Sequence, residues 1–548
     1  MKRSGLLAGL ALGTAALLAV SACAPRESGT AAGERVPVDE TQLVTALPAA
    51  TQPVDEVTWS VVEGEPATLD PGSSANLIIP NLCDNLLSLQ PDFSIEPGVA
   101  ESAEFVDPVT FVIELRDDVS FWDGSPVTAD DVVYSLQRGQ NPQSQWYGAF
   151  ALVQSIEKTG ERQVTVKFVA PDLDFRNAIA GQGGAVMSKA FGDEAGPALG
   201  TSDAGLMCTG PFKLEPGGWK PGSEIAVVAN EDYWGGAPLV QQLTFVFVTD
   251  SSTLATALTQ GEIDGAFNVS PSSRVAFEGD GAGTLVLGPS TASYSFGPTT
   301  DEGPAANPKF RAALSYTIDR EQYIDTVLAG LGEVQKTMVP PFSFSSLEAA
   351  DVYRAGYDAL DTPGKDLERA KQLLEESGED LSRPLVIAIP AGAKEFQQTA
   401  TILQSSAKEI GVDIEIDEMQ PADFGAMFYD PAGREGVDFL ATQGYLEVPG
   451  VYGYPSLFML PAEVGGVFNW SGYSDDQVTA HMQAARTATD LETAAQEFVA
   501  AQEIFAPDQL QVTLAGAYQT TYLNDELSGV VTSIAVYSSP WALHLGGK

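Results

Sequence analysis

The stretch of the chain that most clearly indicates its fold is Val119-Ser120-Phe121-Trp122-Asp123-Gly124-Ser125-Pro126-Val127-Thr128-Ala129-Asp130-Asp131-Val132. Just before it, Thr110 to Leu115 has the apolar, β-branched character of a strand. Within it, Asp123-Gly124-Ser125-Pro126 predicts a turn. Thr128, with Asp131 three residues later, has the spacing of a capping box and predicts a helix start. A strand, a turn and a helix in this order indicate a mixed α/β protein.

Helix-like and strand-like segments alternate along the rest of the chain. Asn307-Pro308 predicts the start of a second helix, and Asp366 that of a third, which Gly378 ends. The second helix has an apolar face made of Phe310, Ala313, Leu314 and Ile318. Strands are predicted at Glu224 to Val228, Leu243 to Val248, Leu385 to Ile389 and Val412 to Ile416.

The length of the chain, 548 residues, exceeds what one hydrophobic core supports and favours two large lobes. The sequence has no internal repeat and no second linker between its predicted elements. The two lobes are therefore expected to be interwoven along the chain rather than arranged one after the other.

The formal net charge of −46 makes nucleic acid an unsuitable partner, because phosphate contacts need clustered Lys and Arg. The acidity has two readings. It either helps to gather cationic ligands, or it only maintains solubility, and the second is the simpler reading.

The N-terminal segment has the order of a secretory signal: Lys2-Arg3, an apolar run to about Val20, and small residues before Cys23. A small-residue cleavage site followed by Cys resembles the bacterial lipobox, in which that Cys is acylated. Residues 1–22 are thus predicted to be a lipoprotein signal, and residues 23–55 a lipidated N-terminus and flexible tether. The protein would be held at the outer face of the cytoplasmic membrane, although a plain signal peptide with an incidental Cys stays open.

Cysteine and histidine are scarce, with three Cys and two His, His481 and His544. With Cys23 assigned to lipid, Cys83 and Cys208 are expected to form a disulfide in an exported chain, the alternative being two buried thiols. So few ligand residues predict no metal site, and no cofactor is expected. Direct nickel or haem ligation by imidazole is not expected.

Four spaced blocks carry a resemblance to a known family. They are Ile95 to Ser102 with Val119 to Val132; Thr209 to Leu214 with Asn230 to Gly236; Gln260-Gly261-Glu262-Ile263-Asp264; and Asn307 to Arg320. In order and spacing they resemble family 5 of the extracellular solute-binding proteins, the peptide- and nickel-binding capture subunits of ABC importers. Most of these residues are read as scaffold, including Trp234 as a packing anchor and Asp319-Arg320 as a helix-end charge pair.

The resemblance implies a two-lobed, periplasmic-binding-protein-like clamp of type II, in the large peptide-binding subclass, with mixed sheets. Lobe I would be discontinuous and comprise residues 56–85, 206–290 and 513–548, with residues 86–205 as its subdomain; residues 291–512 would form lobe II. The clamp would close by a hinge near residues 290 and 513. The predicted disulfide would then join the two points at which the chain passes between lobe I and its subdomain.

The resemblance also implies the function: an extracytoplasmic component, expected to be a monomer, that binds a peptide between its lobes and delivers it to an ABC permease. The same fold also carries oligosaccharides, opine-like conjugates and metal chelates, so another small solute is the alternative. A secreted hydrolase is a remote one, since no catalytic motif stands in the right context. An adhesin would show repeats or a stalk, and neither is seen.

Ligand-binding residues are expected on loops. Peptide-binding family members commonly place an Asp against the peptide's free amino group, but the corresponding stretch here, residues 441–455, has none. Glu447 is the candidate replacement, unless it is a solvated loop residue. Tyr445, Tyr452 and Tyr454 are candidate contacts for the ligand body, or else they pack the loop.

A second candidate wall follows Leu69-Asp70-Pro71. It consists of Ser73, Ser74 and Asn76 from the first lobe. Asn469 and Trp470 of the second lobe complete the set of candidate ligand-binding residues.

Overall fold

The computed structural model describes residues 40–548 except 280, 429 and 445–447. The signal segment and Cys23 lie outside the described residues, so their assignment stays a prediction.

The strands are β1 (Val54–Ser60), β2 (Leu87–Leu89), β3 (Ile95–Pro97), β4 (Ala100–Asp107), β5 (Thr110–Leu115), β6 (Val153–Lys158), β7 (Gln163–Phe168), β8 (Phe212–Lys213), β9 (Trp219–Lys220), β10 (Glu224–Ala229), β11 (Val240–Val246), β12 (Gly265–Phe267), β13 (Gly283–Gly288), β14 (Ser293–Pro298), β15 (Gly332–Val334), β16 (Leu385–Pro390), β17 (Ile414–Met419), β18 (Phe439–Gly444), β19 (Val512–Ala517), β20 (Gln519–Asn524), β21 (Leu527–Ser528) and β22 (Gly546–Gly547).

The α-helices are α1 (Ala129–Gly139), α2 (Phe175–Ala180), α3 (Lys189–Ala195), α4 (Ser251–Gln260), α5 (Pro308–Ser315), α6 (Arg320–Val327), α7 (Ala350–Ala359), α8 (Leu367–Ser377), α9 (Lys394–Lys408), α10 (Pro421–Ala426), α11 (Gly453–Met459), α12 (Asp476–Thr487) and α13 (Leu491–Phe505).

Three sheets organise these elements. Sheet A has the order β13-β20-β12-β1-β11-β10-β8, with β9 against β10; sheet B has the order β15-β19-β14-β18-β16-β17; and sheet C is the antiparallel set β4-β5-β7-β6. Sheets A and B mix parallel and antiparallel pairs. Sheets A and C belong to the first lobe and sheet B to the second. The predicted fold class, a mixed α/β clamp with a discontinuous first lobe, is confirmed.

Each sheet has its own buried core, because its apolar faces are covered by different helices and loops. The first lobe is centred on Trp59, whose ring lies 4.6 Å from Trp541 and 4.7 Å from Phe267. In the second lobe, Phe310 and Leu314 of α5 are fully buried beneath sheet B. Separate cores allow the lobes to move as separate bodies.

The chain crosses between sheets A and B at two neighbouring places. One crossing leads from β13 into β14, and the other leads from β19 into β20. β13 pairs with β20, and β14 pairs with β19, so the two crossing segments run antiparallel beside each other. β19 pairs within sheet B as far as Ala517, which places the return crossing at Tyr518 rather than at residue 513.

Local predictions from the sequence are largely confirmed. Thr128 caps α1 in a capping box, with its backbone N–H donating to Asp131 Oδ2 at 3.0 Å. Asn307 caps α5, and Asp366 caps α8, which ends at Gly378 in the left-handed conformation. One detail differs: α5 ends at Ser315, so the buried Ile318 lies beyond the helix.

The prediction of Asp319-Arg320 as a charge pair is wrong. Asp319 caps α6 by accepting a hydrogen bond from the Gln322 N–H at 3.0 Å. Arg320 is buried, and its guanidinium donates to the Thr513 and Ser315 carbonyls at 2.7 and 3.0 Å. Burial lowers the pKa of Arg320 to about 10. The guanidinium therefore joins backbone segments in the core of the second lobe.

The end of the proposed flexible tether is in fact part of the first lobe. Leu47 N–H donates to the Val530 carbonyl at 2.9 Å, and Ala50 N–H donates to the His544 carbonyl at 3.1 Å. Residues 44–52 are thus fixed by backbone hydrogen bonds before β1 begins. The N–H groups of Leu47 and Ala50 bond to carbonyls of the C-terminal segment, since backbone polar groups need hydrogen-bond partners.

Cys83 and Cys208 form a disulfide, as predicted. The neighbouring Asp84 carboxylate accepts hydrogen bonds from Thr209 Oγ1 at 2.8 Å, Tyr233 OH at 2.7 Å and Trp234 Nε1 at 3.0 Å. Burial raises the pKa of Asp84, while these donors act against the rise. The disulfide and the carboxylate together fix the junction between sheet A and the subdomain.

Replacing both cysteines, Cys83→Ser with Cys208→Ser, should lower the free energy of unfolding. The bond closes a loop with a sequence separation of 125, which in the chain-entropy model stabilises the fold by about 5 kcal/mol. Urea unfolding of a soluble form, with and without reductant, measures the loss. The reductant should destabilise only the parent protein, and equal stability of the two proteins under oxidising conditions would contradict this account.

Candidate ligand cleft

The edges of sheets A and B at which the chain crosses face each other. β1 and β12 run parallel, and β20 runs antiparallel to β12, so the carboxyl ends of the first two share an edge with the start of β20. In sheet B, Ser293 at the start of β14 pairs with Gly444 at the end of β18. In open α/β sheets ligands bind outside the carboxyl ends of strands. The space between these edges is the candidate cleft.

Four polar side chains from separate segments meet at the sheet A edge, and we call them the Glu63 network. Glu63 follows β1, Asn268 follows β12, Gln519 begins β20, and Tyr537 ends the short turn Ile534–Tyr537. Tyr537 OH donates to Glu63 Oε1 at 3.1 Å, and Asn268 Nδ2 donates to the same oxygen. Gln519 Nε2 donates to Asn268 Oδ1 at 2.9 Å. Strand ends thus supply a single oriented network.

Asn268 occupies the left-handed region with φ 53°, which Asn tolerates better than most residues. This backbone conformation turns the chain at the end of β12 and brings Asn268 Nδ2 to Glu63 and, at 2.8 Å, to Tyr537 OH.

Contacts with the second lobe flank the Glu63 network on two sides. On one side, Ser270 Oγ donates to Glu395 Oε1 at the start of α9. On the other, a Cβ on Gly181 would lie 2.9 Å from Val448 Cγ2 and 3.5 Å from Ser538 Oγ, next to Tyr537. Gly181 thus permits a close approach between lobes. The network therefore lies where the lobes meet.

Glu63 combines an exposed side chain with protein on several sides, as expected for the wall of a cleft. The surrounding protein raises the pKa of its carboxyl group, and the hydrogen bonds from Asn268 and Tyr537 act in the opposite direction. A group in such a place is a candidate for binding, because perturbed carboxyls concentrate at functional sites.

The loop after β18 lies against the subdomain of the first lobe. A Cβ on Gly450 would be 3.2 Å from Asn177 Nδ2 and 4.0 Å from Asp174 Oδ1, at the start of α2. Side chains larger than that of glycine would separate the loop from the helix. Residues 448–450 therefore help to close one side of the cleft.

A buried ion pair joins the lobes beside this loop. Arg486 at the end of α12 donates from Nε to Asp172 Oδ1 at 2.9 Å and from Nη2 to Asp172 Oδ2 at 2.8 Å. The Asp172 side chain is fully buried, and that of Arg486 is 16% exposed. In addition, Leu173 N–H donates to the Arg486 carbonyl at 3.0 Å. Removal of either charge would leave its partner buried and unpaired, which is costly.

Asp174 stands next to this ion pair and is half-buried. Burial raises the pKa of Asp174 to about 6; Arg486 acts against the rise, and the Asp172 carboxylate adds to it. The interface between subdomain and second lobe thus contains a carboxyl group that titrates near neutral pH.

The predicted residues Ser73, Ser74 and Asn76 form a self-contained turn. Ser73 Oγ donates to Asp70 Oδ2 at 2.9 Å. Asn76 Nδ2 donates to Ser74 Oγ at 3.2 Å, and Asn76 Oδ1 accepts from the Ile78 N–H at 3.0 Å. This turn touches the cleft region through its backbone, since the Asn76 carbonyl accepts from Gln182 Nε2 at 3.1 Å.

The predicted residues after β18 divide into two groups. Tyr445 and Glu447 lie outside the described residues. Tyr452 and Tyr454 are only 6% and 9% exposed and belong to the core of the second lobe. Tyr452 OH donates to the Ala494 carbonyl at 3.3 Å, and Tyr454 OH bonds with the Gln511 amide. Both rings serve packing, the simpler of the two readings.

Asn469 and Trp470 stabilise a turn at another place in the second lobe. Asn469 Nδ2 donates to the Tyr473 carbonyl at 2.8 Å, and its Oδ1 accepts from the Tyr473 N–H at 2.9 Å. The Arg434 guanidinium lies 4.2 Å above the Trp470 ring, a cation–π contact. Neither is brought into contact with the Glu63 network.

Sequence reasoning missed the residues that meet in the cleft: Glu63, Asn268, Gln519, Tyr537, Asp172, Asp174 and Arg486. Their only sequence signal is position, since the first three stand at strand ends. Within the described ranges no group of three or more His, Cys, Asp or Glu is placed to hold a metal. In the same ranges no helix is both long and apolar enough to span a membrane.

Comparison with known proteins matches this geometry to one family. The family model described as bacterial extracellular solute-binding proteins, family 5, middle region, matches residues 94–464. This range includes sheet C, most of sheet A and β14 to β18 of sheet B.

The chain is similar to individual proteins of known name over most of their length. The chain is 26% identical over 495 residues to the periplasmic murein peptide-binding protein MppA of Escherichia coli, covering 84% of this chain and 87% of MppA. It is 25% identical over 448 residues to the glutathione-binding protein GsiB of Salmonella typhimurium, covering 80% and 84%. The solved structure of the Bacillus subtilis oligopeptide-binding protein AppA with a nonapeptide superposes with a TM-score of 0.78 at 20% identity, covering 91% of this chain and 99% of AppA.

Asp174 predicts a pH dependence of stability. Its pKa is raised from 3.8 to about 6 in the folded protein, so between these values the folded state holds a proton that the unfolded chain has released. The free energy of unfolding should therefore fall as the pH rises from about 4 to about 6, by at most about 3 kcal/mol. Asp174→Asn removes this contribution.

The check is urea unfolding of the parent protein and of Asp174→Asn at pH 4.5 and pH 7. The free energy of unfolding of the parent minus that of the variant should be lower at pH 7 than at pH 4.5. A stability difference between the two proteins that does not change with pH would contradict the raised pKa.

Proposed function

Because the chain belongs to family 5 of the bacterial extracellular solute-binding proteins, we propose that it captures a peptide between its two lobes and delivers it to the permease of an ABC importer. The observation that carries the proposal is the polar cleft at the crossing of sheets A and B. In the part of the chain that the structure describes, two adjacent segments join the lobes there, while the Arg486–Asp172 ion pair joins them at another point of their interface. This arrangement allows a solute to be enclosed by a hinge motion.

Peptides are the preferred solute class. The relatives MppA and GsiB are named for binding a murein peptide and glutathione. The cleft also offers what a peptide needs: strand ends with backbone groups at both edges, and carboxylates for cationic groups.

Glu447 is proposed as the partner of the peptide's free amino group. Val448 and Gly450, which follow it in the sequence, contact the first lobe. A carboxylate enclosed between the lobes is stabilised by a cation, which an ammonium group supplies.

An oligosaccharide is the weaker alternative. Stacking on sugar rings would need open aromatic faces. Of the three tyrosines considered for it, Tyr452 and Tyr454 pack in the core of the second lobe, and Tyr445 lies outside the described residues. Binding without catalysis completes the proposal, since the relatives are themselves solute-binding proteins.

The working location is proposed to be the outer face of the cytoplasmic membrane. Cys23 would carry the lipid, and residues from Ala24 to about 43 would link it to the first lobe. From Val44 onward, backbone hydrogen bonds fix the chain to that lobe. The protein would act as a monomer beside its permease.

A thermal-shift screen tests the peptide proposal. Purified protein lacking residues 1–23 is mixed with di- to hexapeptides, oligosaccharides and metal chelates. A peptide present at 100 times its dissociation constant should add about 2.7 kcal/mol to the free energy of unfolding. Stabilisation by a sugar and by no peptide would contradict the proposal. A mixture of free amino acids serves as the control.

Cys23→Ser tests the anchor separately. A single lipid attachment residue holds the chain at the membrane, so the variant should appear in the soluble fraction with unchanged peptide affinity. Fractionation of cells followed by a binding assay measures both. Retention of the variant in the membrane, or loss of binding by a folded soluble variant, would refute the division between anchor and clamp.

A further inference from the structure

The donors of the Glu63 network are already used inside it. Asn268 Nδ2 donates to Glu63 Oε1 and to Tyr537 OH, and the Tyr537 hydroxyl donates to Glu63 Oε1. Gln519 Nε2 is turned towards Asn268 Oδ1. Both side-chain donors reach the same oxygen of Glu63, and its side chain remains exposed. What the network presents to a solute is therefore a fixed carboxylate.

Two buried amide side chains, Gln182 and Asn85, bond to the backbone carbonyls of Tyr537 and Ser538. The Gln182 amide donates from Nε2 to the Tyr537 and Asn76 carbonyls, which fixes its orientation. Gln182 Oε1 is consequently turned away from them, is buried and has no hydrogen-bond partner among the described residues. Asn85 likewise donates to the Ala180 and Ser538 carbonyls, and within the same ranges its buried Oδ1 has no partner. A buried acceptor without a donor is unfavourable, so neither side chain supplies a cation or a free donor to this part of the boundary.

Two basic residues described at the lobe boundary form no ion pair with Glu63. Arg486 is paired with Asp172. Lys394 lines a separate groove of about 380 Å³ beside Ser252 and Thr256 of α4. Among the residues that the structure describes, no ion pair involves Glu63, and no Lys or Arg contributes to the shift of its pKa. The Glu63 charge thus lacks a protein counter-ion.

We propose that Glu63 forms a cation subsite in the cleft, which selects peptides carrying a basic side chain, with the ammonium of Lys or the guanidinium of Arg bound to its carboxylate. The inference rests on the proposed peptide function and adds a second charge contact to the one proposed for Glu447. The carboxylate is held in place by Asn268 and Tyr537 before the solute arrives. Such preorganisation favours binding, because less freedom is lost on association.

The chain's overall charge supports the same selection. A formal net charge of −46 attracts cations to the surface, and a cleft focuses such a field. The carboxyls of Glu395, hydrogen-bonded to Ser270, and of Asp174 add to the negative potential along the boundary between the lobes.

Isothermal titration with matched peptides tests the subsite. The probes are tetrapeptides that contain Lys, Arg or norleucine at one position, each with a free or an acetylated N-terminus. Norleucine keeps the length of Lys without its charge, and acetylation removes the contact assigned to Glu447. The parent protein should bind the Lys or Arg peptide at least about tenfold more tightly than the norleucine peptide, with either N-terminus.

Glu63→Gln should reduce this preference to within about threefold, because the amide keeps the shape and removes the charge. Glu262→Gln, the same change at an exposed position of the first lobe after α4, is the matched control and should keep the preference. Glu63→Asp keeps the charge and should keep part of it. Thermal unfolding of each variant verifies the fold.

The outcomes separate the inference from the proposed function. Tight binding of peptides without preference for a basic side chain overturns the subsite and leaves peptide capture in place, as does a preference that survives Glu63→Gln. If no tetrapeptide binds, agmatine and cadaverine are titrated in turn. Binding that depends on Glu63 then supports the subsite and contradicts peptide capture, whereas no binding overturns both.

Discussion

The paired crossing strands are the constraint on which the rest of the structure depends. Because β13 pairs with β20 and β14 with β19, both connections between the lobes pass through one place. Each lobe keeps its own core, so the lobes can rotate about this place while both cores stay packed. The strand ends that carry Glu63, Asn268 and Gln519 stand beside it. A site at this position changes shape with every movement of the lobes.

Electrostatic complementarity follows from the same geometry. The interface between the lobes contains a compensated charge pair, Arg486 with Asp172, and two carboxyls, Glu63 and Glu395, that form no ion pair among the described residues. The compensated pair stabilises contact between the lobes, since their separation would leave each charge without its partner. The uncompensated carboxyls make contact less favourable until a cation lies between them. Closure and occupancy by a cationic solute would thus stabilise each other.

Local patterns predicted the scaffold well, whereas the contents of the cleft could not be predicted. The capping box at Thr128 and Asp131, and the caps at Asn307 and Asp366, depend on residues within one helical turn. In contrast, Arg486 and Asp172 are separated by 314 residues, and Glu63 and Tyr537 by 474, so no local pattern relates them. Tyr452 and Tyr454 show why a local pattern leaves two readings open. An aromatic, glycine-rich stretch suits a ligand wall and a packed core equally, and the core of the second lobe took both rings.

The central claim, capture of a solute between two hinged lobes, is tested most directly by the distance between them. Spin labels on Glu262→Cys in the first lobe and Gln372→Cys in α8 of the second lobe are compared in pulsed electron resonance, with the native disulfide intact and Cys23 replaced. The account predicts a broad or long distance distribution without ligand and a narrower, shorter one when a bound peptide saturates the protein. An unchanged distribution at saturation would contradict it.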